Sequence, residues 1–583
     1  MPGLFVALSH DAKLDLSKLS LNHHTVAQLV IDRKSLPGAV VERYTNPKFL
    51  DDKVFDEDDS LCVAMDGVIL NFTQLRARYK CQTFFETVKA MYQDLGDKFF
   101  TEFRGEFAGA LYDKAKSKWV FFADPTGAKR LFYYQSTDLF ICGTDLPEIT
   151  STLRQLGRKT TLDVTGAYFL LSYGFMLEDY TLVTQVRRLK PGCSITFGKG
   201  GVFALDVCQS VGNEPWVTDS KGEIIERLDQ LFCQAIRRAY DKDREYGYEH
   251  LATLSGGLDS RMNVMVAHAL GYEDQTTVTF SQSNYFDQTI ANQIASDLKL
   301  EFLFYSLDSG QYLLRAFHDA VRANGGQVLF AGSAHMLSAM TRVGMGRTGM
   351  LHTGMLGGGV MGSFLAAPAH TLPNYRGGAY CPHLLDRISS EAKTLAQRYE
   401  SEELFLLYNR GFNGNNNGLW TAHQFTQCTS PFMDLDFLSY VMRVPRIYRY
   451  HKRIYREWML KKYPLAGQYA WESTRAKPSS PRVVHWISRR LWMASILLQR
   501  KWHSASMNPF LHWERTNPAL VAFAENYWKQ QSHLLDDYPQ LRADCESLFN
   551  TRLMTRQTIL GGTLVNKTQV MTLLEAMGLL LGQ

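Results

Sequence analysis

Residues 254–260, with the sequence Leu-Ser-Gly-Gly-Leu-Asp-Ser, carry the side chains best suited to chemistry in this chain of 583 residues. A short apolar run precedes them, and Met262, Val266 and Leu270 follow at helical spacing, so the sequence predicts a strand, a tight loop and a helix. Glycines let the backbone approach an anion, hydroxyls donate hydrogen bonds, and the N-terminus of the next helix offers unpaired N–H groups. The loop therefore predicts a phosphate site at which Asp259 binds magnesium.

This string resembles the SGG(I/L)DS loop of the ATP pyrophosphatases of the asparagine synthetase family, which binds the leaving pyrophosphate of ATP. The alternative for a Ser-Gly-Gly string is a flexible turn. The chain contains no Walker-type GxxxxGK[ST] motif. The resemblance implies ATP and Mg²⁺ as ligands and a nucleotide contact set in this loop, which is Leu254, Ser255, Gly256, Gly257, Asp259 and Ser260.

The first 210 residues read as short strands joined by turns, with one long helical pattern at 84–95. Strands are expected at 61–65, 107–112, 119–123, 131–134, 139–143 and 194–197. Four strings resemble the glutaminase domain of the same family, namely DGVILN at 66–71, GEFAGALYD at 105–113, DPTGAKRLFY at 124–133 and LKPG at 189–192. The resemblance implies an α+β N-terminal nucleophile glutaminase-like domain, built of layered β-sheets with helices, over residues 1–210.

The start of the chain departs from the family pattern. In working glutaminases of this family a cysteine follows the initiator methionine, and its own α-amine assists its thiolate. Pro2 occupies that position here. Because proline has no side-chain nucleophile, we expect a retained structural domain that does not hydrolyse glutamine, so that ammonia or an amine in the substrate must supply the nitrogen.

After a polar linker at 211–221, strand and helix patterns alternate. Helices are expected at 224–240, 289–298 and 311–321, and strands at 276–281, 302–307 and 350–354. This alternation predicts an α/β domain over 211–583, with a parallel sheet and a site at the carboxyl ends of its strands. The resemblance identifies it as an ATP-pyrophosphatase domain and places Val278 and Phe280 beside the adenine. It also makes Asp287, expected just before a helix, a second metal ligand; the alternative is an N-cap or first-turn acid.

A second glycine-rich segment, GMLGGGVMGS, occupies residues 354–363. Residues 357–362 within it spell GxGxxG, which is a dinucleotide fingerprint when a strand precedes it and a helix follows. The segment also resembles the second active-site loop of the family, which closes over the pyrophosphate and supplies a second aspartate to magnesium. That alignment brings Gly354 to the nucleotide and puts Gly358 and Gly359 at the two acidic positions.

The motifs at 427–477 lack one further acidic residue of the family pattern and contain three basic residues that are candidates for the site. Gln427, in the string QCTSPFMD at 427–434, stands where the resemblance places a catalytic glutamate, and an amide cannot act as a general base. Lys452 resembles the lysine that stabilises the charged intermediate and pyrophosphate, and Arg475 and Lys477 resemble a later RxK element. The alternative for any single lysine is a solvated surface residue.

Bulk properties exclude several classes. A hydrophobic content of 45% and a charged content of 21% describe a folded protein, and a net charge of +5 over this length gives no argument for nucleic acid. Nine scattered cysteines without a CxxC pair, no signal peptide pattern and no membrane-spanning apolar run predict a cytoplasmic protein. The basic, tryptophan-rich stretch 482–503 either lies on a membrane surface or partner, or packs on the synthetase domain with its arginines reaching solvent.

The resemblance implies an ATP-dependent ligase that adenylates a small-molecule or peptide carboxylate, releases pyrophosphate and joins the acyl group to ammonia or an amine. Relatives of this kind include β-lactam synthetases, lasso-peptide cyclases and synthetase-like proteins of surface-polysaccharide pathways, which would amidate a sugar acid. The alternative is a nucleotide-binding pseudoenzyme that acts as a scaffold or binds a partner, because Pro2, Gly358 and Gln427 all replace functional residues. The sequence leaves the oligomeric state open.

Overall fold

The computed structural model describes residues 2–9, 14–23, 28–198, 200–499, 506–551 and 563–582. Within these ranges the chain forms two antiparallel sheets of six strands each, followed by a parallel sheet of five strands.

The first sheet has the strand order β10-β8-β9-β1-β3-β2 and the second has the order β12-β11-β7-β6-β5-β4. Their strands are β1 (Gly3–Ser9), β2 (Val30–Leu36), β3 (Ala39–Thr45), β4 (Phe55–Glu57), β5 (Leu61–Ile69), β6 (Gly105–Asp113), β7 (Lys118–Ala123), β8 (Phe132–Gln135), β9 (Leu139–Gly143), β10 (Val186–Arg188), β11 (Cys193–Gly198) and β12 (Val202–Val207). The helices of this part are α1 (Phe72–Tyr79), α2 (Phe84–Leu95), α3 (Leu146–Gln155) and α4 (Val164–Tyr173).

The two sheets pack face to face, and helices cover their outer faces. Leu4 and Val6 of β1 meet Ala108 and Ala110 of β6 in the shared core. Because side chains alternate along a strand, Phe5 points to the opposite face of its sheet, where α3 and α4 cover it. Helices α1 and α2 cover the second sheet. The predicted layered α+β architecture is confirmed, but α4 was missed because it is buried on all sides and shows no helical alternation.

The parallel sheet has the order β15-β14-β13-β16-β17. Its strands are β13 (Glu249–Thr253), β14 (Gln275–Ser281), β15 (Glu301–Ser306), β16 (Thr348–His352) and β17 (Cys428–Thr429). The chain moves outward from β13 to β15 and then returns to the other side of β13 as β16. The loops after β13 and β16 therefore leave the sheet side by side, at the switch point where ligands bind in open α/β sheets.

Helices surround this sheet and complete the chain. They are α5 (Lys221–Glu245), α6 (Asp259–Ala269), α7 (Phe286–Asp297), α8 (Tyr312–Arg315), α9 (Phe317–Asn324), α10 (Ala334–Met340), α11 (Ser389–Ala396), α12 (Glu402–Leu406), α13 (Asn417–Ala422), α14 (Leu435–Met442), α15 (Arg446–Arg449), α16 (Arg453–Lys462), α17 (Arg482–Gln499), α18 (Phe510–Thr516), α19 (Pro518–Gln531), α20 (Pro539–Asn550) and α21 (Leu564–Leu581). No helix in the described ranges is both long and apolar enough to cross a bilayer.

The turn at 124–133 joins the antiparallel sheets to the rest of the chain. The guanidinium groups of Arg130 and Arg188 lie 4.2 and 5.0 Å from the ring of Trp420, whose Nε1 donates to the carbonyl of Gly127 at 3.2 Å. Arg188 also donates to Asn413 Oδ1 at 2.7 Å. Because these groups are buried, the contact between the two parts of the chain depends on specific polar pairing.

Candidate active site

The loop 254–258 connects β13 to α6, so the predicted strand, loop and helix are present. Ser260 Oγ accepts a hydrogen bond from the Ser255 N–H at 3.0 Å and lies 2.9 Å from Ser255 Oγ. The Gly257 N–H donates to Ser255 Oγ at 3.2 Å. Leu254 is buried, and its N–H donates to the carbonyl of Val278 at 3.0 Å. The predicted hydroxyls and glycines thus form one small polar turn at the end of the central strand.

The second glycine-rich segment packs directly on this turn. A Cβ added to Gly354 would lie 2.3 Å from the Ser260 nitrogen, and one added to Gly357 would lie 2.8 Å from Asp259 Cγ. Only glycine permits so close an approach at these two positions. The dinucleotide alternative fails, because Gly359–Ser363 forms only a short π-helical turn containing Gly362 at φ +114°.

Asp259, Gly358 and Lys452 meet at the junction of the two loops. A Cβ added to Gly358 would lie 3.2 Å from Asp259 Oδ2 and 3.1 Å from Lys452 Nζ. Asp259 Oδ1 is buried and has no hydrogen-bond partner among the described residues. His451 and Lys452 both adopt left-handed backbone angles, φ +56° and +57°. These backbone angles are uncommon for residues other than glycine, and they accompany the placement of the Lys452 ammonium group and the Asp259 carboxylate on either side of Gly358.

Asp287 is engaged by the backbone of the loop. Its Oδ1 accepts a hydrogen bond from the Gly256 N–H at 2.9 Å. Burial, followed by the negative charge of Glu472, raises the pKa of Asp287 to about 7. The helix begins at Phe286, so the expectation that Asp287 precedes the helix was wrong and the first-turn alternative is what the structure shows. A later helix start was expected because the apolar stripe of this helix includes Ile290, one turn after its first residue. The role of Asp287 as a metal ligand stays a prediction.

Arg475 is a buried cation beside the loop. Its guanidinium lies 3.8 Å from the ring of Phe286 and 4.2 Å from that of Trp492, and its nearest carboxylate oxygen, on Glu472, is 3.6 Å away. None of its side-chain nitrogens has a hydrogen-bond partner in the described ranges. Lys477, by contrast, is exposed, with its ammonium 3.5 Å from Gln468 Oε1. The two basic residues of the RxK string are therefore not brought together.

Arg261 is a positioning residue that the sequence interpretation missed. It is fully buried and donates to the carbonyls of Gly256 at 3.0 Å, Ala466 at 2.9 Å, Tyr469 at 3.3 Å and Ala470 at 2.6 Å. Burial lowers the pKa of Arg261 to about 10. The Arg261 side chain thus ties the loop 254–258 to the segment that leads into Arg475. The sequence feature that could have identified this role is an arginine directly after the loop, among the apolar residues of a buried helix.

Glu472 and Gln427 complete the surroundings of the loops. The Glu472 N–H donates to the Gly256 carbonyl at 3.0 Å, and its carboxylate accepts from the Tyr285 hydroxyl. Gln427 precedes β17 and is buried, and neither atom of its side-chain amide has a hydrogen-bond partner within the described residues. Neither Gly358 nor Gln427 brings a carboxylate to this edge of the sheet.

Phe280 and Val278 follow the neighbouring strand β14. Val278 is buried, and Phe280 is half-buried with its ring centroid 4.9 Å from that of His335. Burial lowers the pKa of His335 to about 4. These residues form one flank of the loop, as expected for a base-binding wall, while their contact with an adenine stays a prediction.

His335 predicts a specific pH dependence of stability. In the unfolded chain its ring titrates near 6.5, whereas in the folded chain it titrates near 4. Between these values the unfolded state binds more protons, so the free energy of unfolding should fall as the pH falls, by up to about 1.4 kcal/mol per pH unit. Urea unfolding of wild type and His335→Phe between pH 7 and pH 4 isolates this contribution. Parallel curves for the two proteins would contradict it.

One buried cluster in the described ranges has metal-like ligand spacing, and it comprises Asp243, His250 and His352. His250 Nδ1 and His352 Nε2 lie 3.0 and 2.6 Å from the same oxygen, Asp243 Oδ2. Asp243 also accepts the Met350 N–H at 2.8 Å. Hydrogen bonding between α5 and two strands of the sheet accounts for the cluster without an ion.

A cavity of about 610 Å³ lies beside Arg410. Its apolar wall is formed by Tyr173, Phe175, Tyr380 and Phe510. Its polar groups are Asn415, Asn508 and the exposed Arg410, which makes no ion pair or hydrogen bond with another described residue. Gly411, which follows Arg410 in the chain, packs on the second glycine-rich segment, because a Cβ added to it would lie 3.0 Å from Leu356 Cδ1.

Comparison with known proteins gives matches over parts of the chain. Residues 52–206 match the model of a glutamine amidotransferase domain. A putative glutamine-hydrolyzing asparagine synthetase 2 of Methanocaldococcus jannaschii is 24% identical over 226 residues, which cover 36% of this chain and 42% of that protein. Glutamine-hydrolyzing asparagine synthetase 2 of Bacillus subtilis is 27% identical over 274 residues, which cover 42% and 34%. Over these regions the chain is similar to asparagine synthetases.

The matches with these asparagine synthetases each span less than half the length of the relative. Among solved structures, glutamine phosphoribosylpyrophosphate amidotransferase from B. subtilis, complexed with ADP and GMP, is 9% identical and covers 70% of this chain and 90% of its own. Its TM-score is 0.23. The amidotransferase match includes β4 to β11 and all but the last residue of β12. These strands form the second antiparallel sheet and part of the first.

Proposed function

We propose that this asparagine-synthetase-like chain is an ATP-dependent amide-forming ligase that adenylates a carboxylate, releases pyrophosphate and transfers the acyl group to ammonia or an amine. The observation that supports it most is the meeting of Asp259 and Lys452 above a glycine turn at the switch point of the parallel sheet. Such chemistry depends on positioning and on stabilising phosphoryl charge, which needs few reactive side chains.

The polar groups at the turn fit a nucleotide and a divalent cation. Asp259 Oδ1 and the three guanidinium nitrogens of Arg475 are buried and make no hydrogen bond to a described residue, although Arg475 lies 3.6 Å from a carboxylate oxygen of Glu472. A buried polar group left unpaired costs about 1–3 kcal/mol, which a bound ligand would recover. Asp259 would hold Mg²⁺, with Asp287 as a second candidate, and the ion would neutralise part of the phosphate charge. The hydroxyls of Ser255 and Ser260 and the ammonium of Lys452 would hold the leaving pyrophosphate.

We further propose that glutamine is not the nitrogen source. Pro2 is buried immediately before β1 and offers no nucleophile. Asp66 occupies the position where the family-like NGEIYN string begins, and it is buried in an ion pair with Lys129 at 2.7 Å. Although burial acts in the opposite direction, Lys129 and then Lys53 hold the pKa of Asp66 well below its usual range. A neutral amide substrate would have to displace this charged network.

The cavity beside Arg410 is our candidate for the site of the substrate carboxylate. Arg410 is free to pair with an anion, and aromatic side chains also line the cavity.

Arg410→Ala is expected to raise the KM for the acid by about tenfold or more and to leave ATP affinity unchanged, because a lost charge-assisted hydrogen bond is worth about 1.5–3 kcal/mol. Steady-state kinetics with each substrate varied in turn checks this. An equal rise in both KM values would place Arg410 elsewhere in the mechanism.

The decisive experiment is pyrophosphate release from ATP and Mg²⁺, with and without aspartate, uronic acids and a pool of short peptides, in the presence of ammonia. Release that depends on one class of acid would establish the ligase and name its substrate class. Glutamate formation from glutamine, assayed in parallel, should not exceed the buffer rate. Its appearance would refute the assignment of the nitrogen source.

A second candidate is a nucleotide-binding protein without turnover, which the two missing carboxylates at Gly358 and Gln427 favour. It predicts Mg²⁺-dependent ATP binding by calorimetry and no pyrophosphate release with any acid. Since neither position supplies a base, the ligase alternative requires a nitrogen nucleophile that loses its proton to water or to the substrate.

Restoring one carboxylate provides a further test. Gly358→Asp would add an acidic side chain within reach of Asp259 and Lys452, whose flexible ammonium can move aside. We expect the apparent affinity for Mg²⁺ to rise on the order of tenfold, because hard cations bind more tightly as the number of carboxylate ligands grows. Gly358→Asn is the matched control, because it has the same shape without the charge. Equal effects of the two variants would show that position 358 does not face the metal.

A further inference from the structure

Helix α17 (Arg482–Gln499) is attached to the protein by a narrow stripe. His485 and Ile496 are its only buried residues among those described, and Trp492 lies between them on the same face. His485 Nδ1 lies 2.8 Å from Thr474 Oγ1, and Trp492 covers the guanidinium of Arg475. Packing on the protein was one of the two alternatives that the sequence offered for this helix. The structure shows such packing for this one stripe only. Residues 500–503 of the predicted stretch lie outside the described residues.

The opposite face of α17 is apolar and open to solvent. Seven of the eighteen large apolar side chains that are exposed in the described part of the chain lie on this helix, namely Val483, Val484, Trp486, Ile487, Leu491, Leu497 and Leu498. Leu491 is 66% exposed and Leu498 is 84% exposed. Val483, Ile487, Leu491 and Leu498 follow helical spacing, so they form one continuous ridge opposite the attached stripe. So concentrated a patch marks an interaction surface rather than scattered surface residues.

The charge on this helix is entirely positive. Arg482, Arg489 and Arg490 are exposed, and the eighteen residues of the helix include no aspartate or glutamate. On a helical projection Trp486 and Arg490 flank the apolar ridge on one side, and the Arg490 guanidinium lies 4.7 Å from the Trp486 ring. Arginine and tryptophan beside an apolar ridge match the headgroup level of a bilayer, where the ridge enters the acyl boundary and the arginines pair with phosphates.

We propose that α17 docks this protein on an anionic membrane surface, with its outer ridge in the lipid and its inner stripe against the candidate active site. The helix lies parallel to the membrane plane. Docking would place the nucleotide turn close to the membrane, because Trp492 of the same helix covers Arg475. This inference does not depend on the proposed ligase activity.

Co-sedimentation of the full chain with vesicles tests the proposal. Binding is expected with phosphatidylcholine vesicles that contain phosphatidylglycerol, much less with phosphatidylcholine alone, and less in high salt, because the arginine contribution is screened. The double variant Ile487→Glu/Leu491→Glu should lower binding at least about tenfold, since it places two charges in the apolar ridge. Both positions are solvent-exposed, so thermal unfolding should be unchanged.

The matched control is Val202→Glu/Leu372→Glu, which changes two apolar residues that are 67% and 76% exposed elsewhere on the protein. It should bind vesicles like wild type. Absence of wild-type binding to anionic vesicles, or equal losses in the two double variants, would overturn the proposal. Sedimentation velocity without lipid supplies a third readout. A wild-type dimer that the α17 variant dissociates would show instead that this face binds a second copy of the chain.

Discussion

Replacing Asp259 by asparagine is expected to lower acid-dependent pyrophosphate release by at least about a hundredfold while the protein remains folded. The carboxylate lies beside Lys452 and the second loop, and one of its oxygens is buried without a hydrogen-bond partner in the described residues. An amide of the same shape keeps the packing but loses the negative charge that a magnesium ion needs. Pyrophosphate release at saturating ATP and acid, over a range of Mg²⁺ concentrations, measures the effect.

Asp287→Asn is the matched control for this experiment. Its amide oxygen can still accept the hydrogen bond from the Gly256 N–H, so the loop should keep its shape. A much smaller loss for Asp287→Asn than for Asp259→Asn would assign the cation to Asp259. Comparable losses would make Asp287 a ligand as well, and full activity of Asp259→Asn would refute the proposed site.

Replacing Arg261 by methionine is expected to lower the free energy of unfolding by about 3–5 kcal/mol, although Arg261 contacts no predicted ligand. The guanidinium satisfies four buried carbonyls at once, and methionine fills similar volume without donating to any of them. Each carbonyl left unpaired adds to the loss. Urea unfolding followed by tryptophan fluorescence is the measurement.

Two further variants make this result interpretable. Arg237→Met replaces an exposed arginine on α5 and should change stability by less than about 0.5 kcal/mol. Arg261→Lys keeps the charge but donates in fewer directions, so its stability should fall between those of wild type and Arg261→Met. If Arg261→Met is as stable as wild type, the four carbonyls must find other partners, and the segment leading to Arg475 is not held as described.

The local features of this protein could be predicted from its amino-acid sequence. Turn chemistry and the periodicity of apolar residues act over a few residues. They made predictable the strand, loop and helix around residues 254–260, the helix at 84–95 and six of the twelve strands of the antiparallel sheets. The family resemblance was also readable, because short strings of unusual composition carry it. The same short-range patterns failed for α4, which is apolar on every face, and placed the start of α7 too late.

Which of these features lie together became visible in the folded chain. It brought Gly358 to Asp259 and Lys452, turned Lys477 away from Arg475, and revealed Arg261 as the link between the loop and the following segment. It also decided that α17 buries one stripe and exposes the rest. These outcomes depend on contacts between residues that are far apart in the chain, and the crossing from β13 to β16 that creates the site leaves no local signal in the sequence.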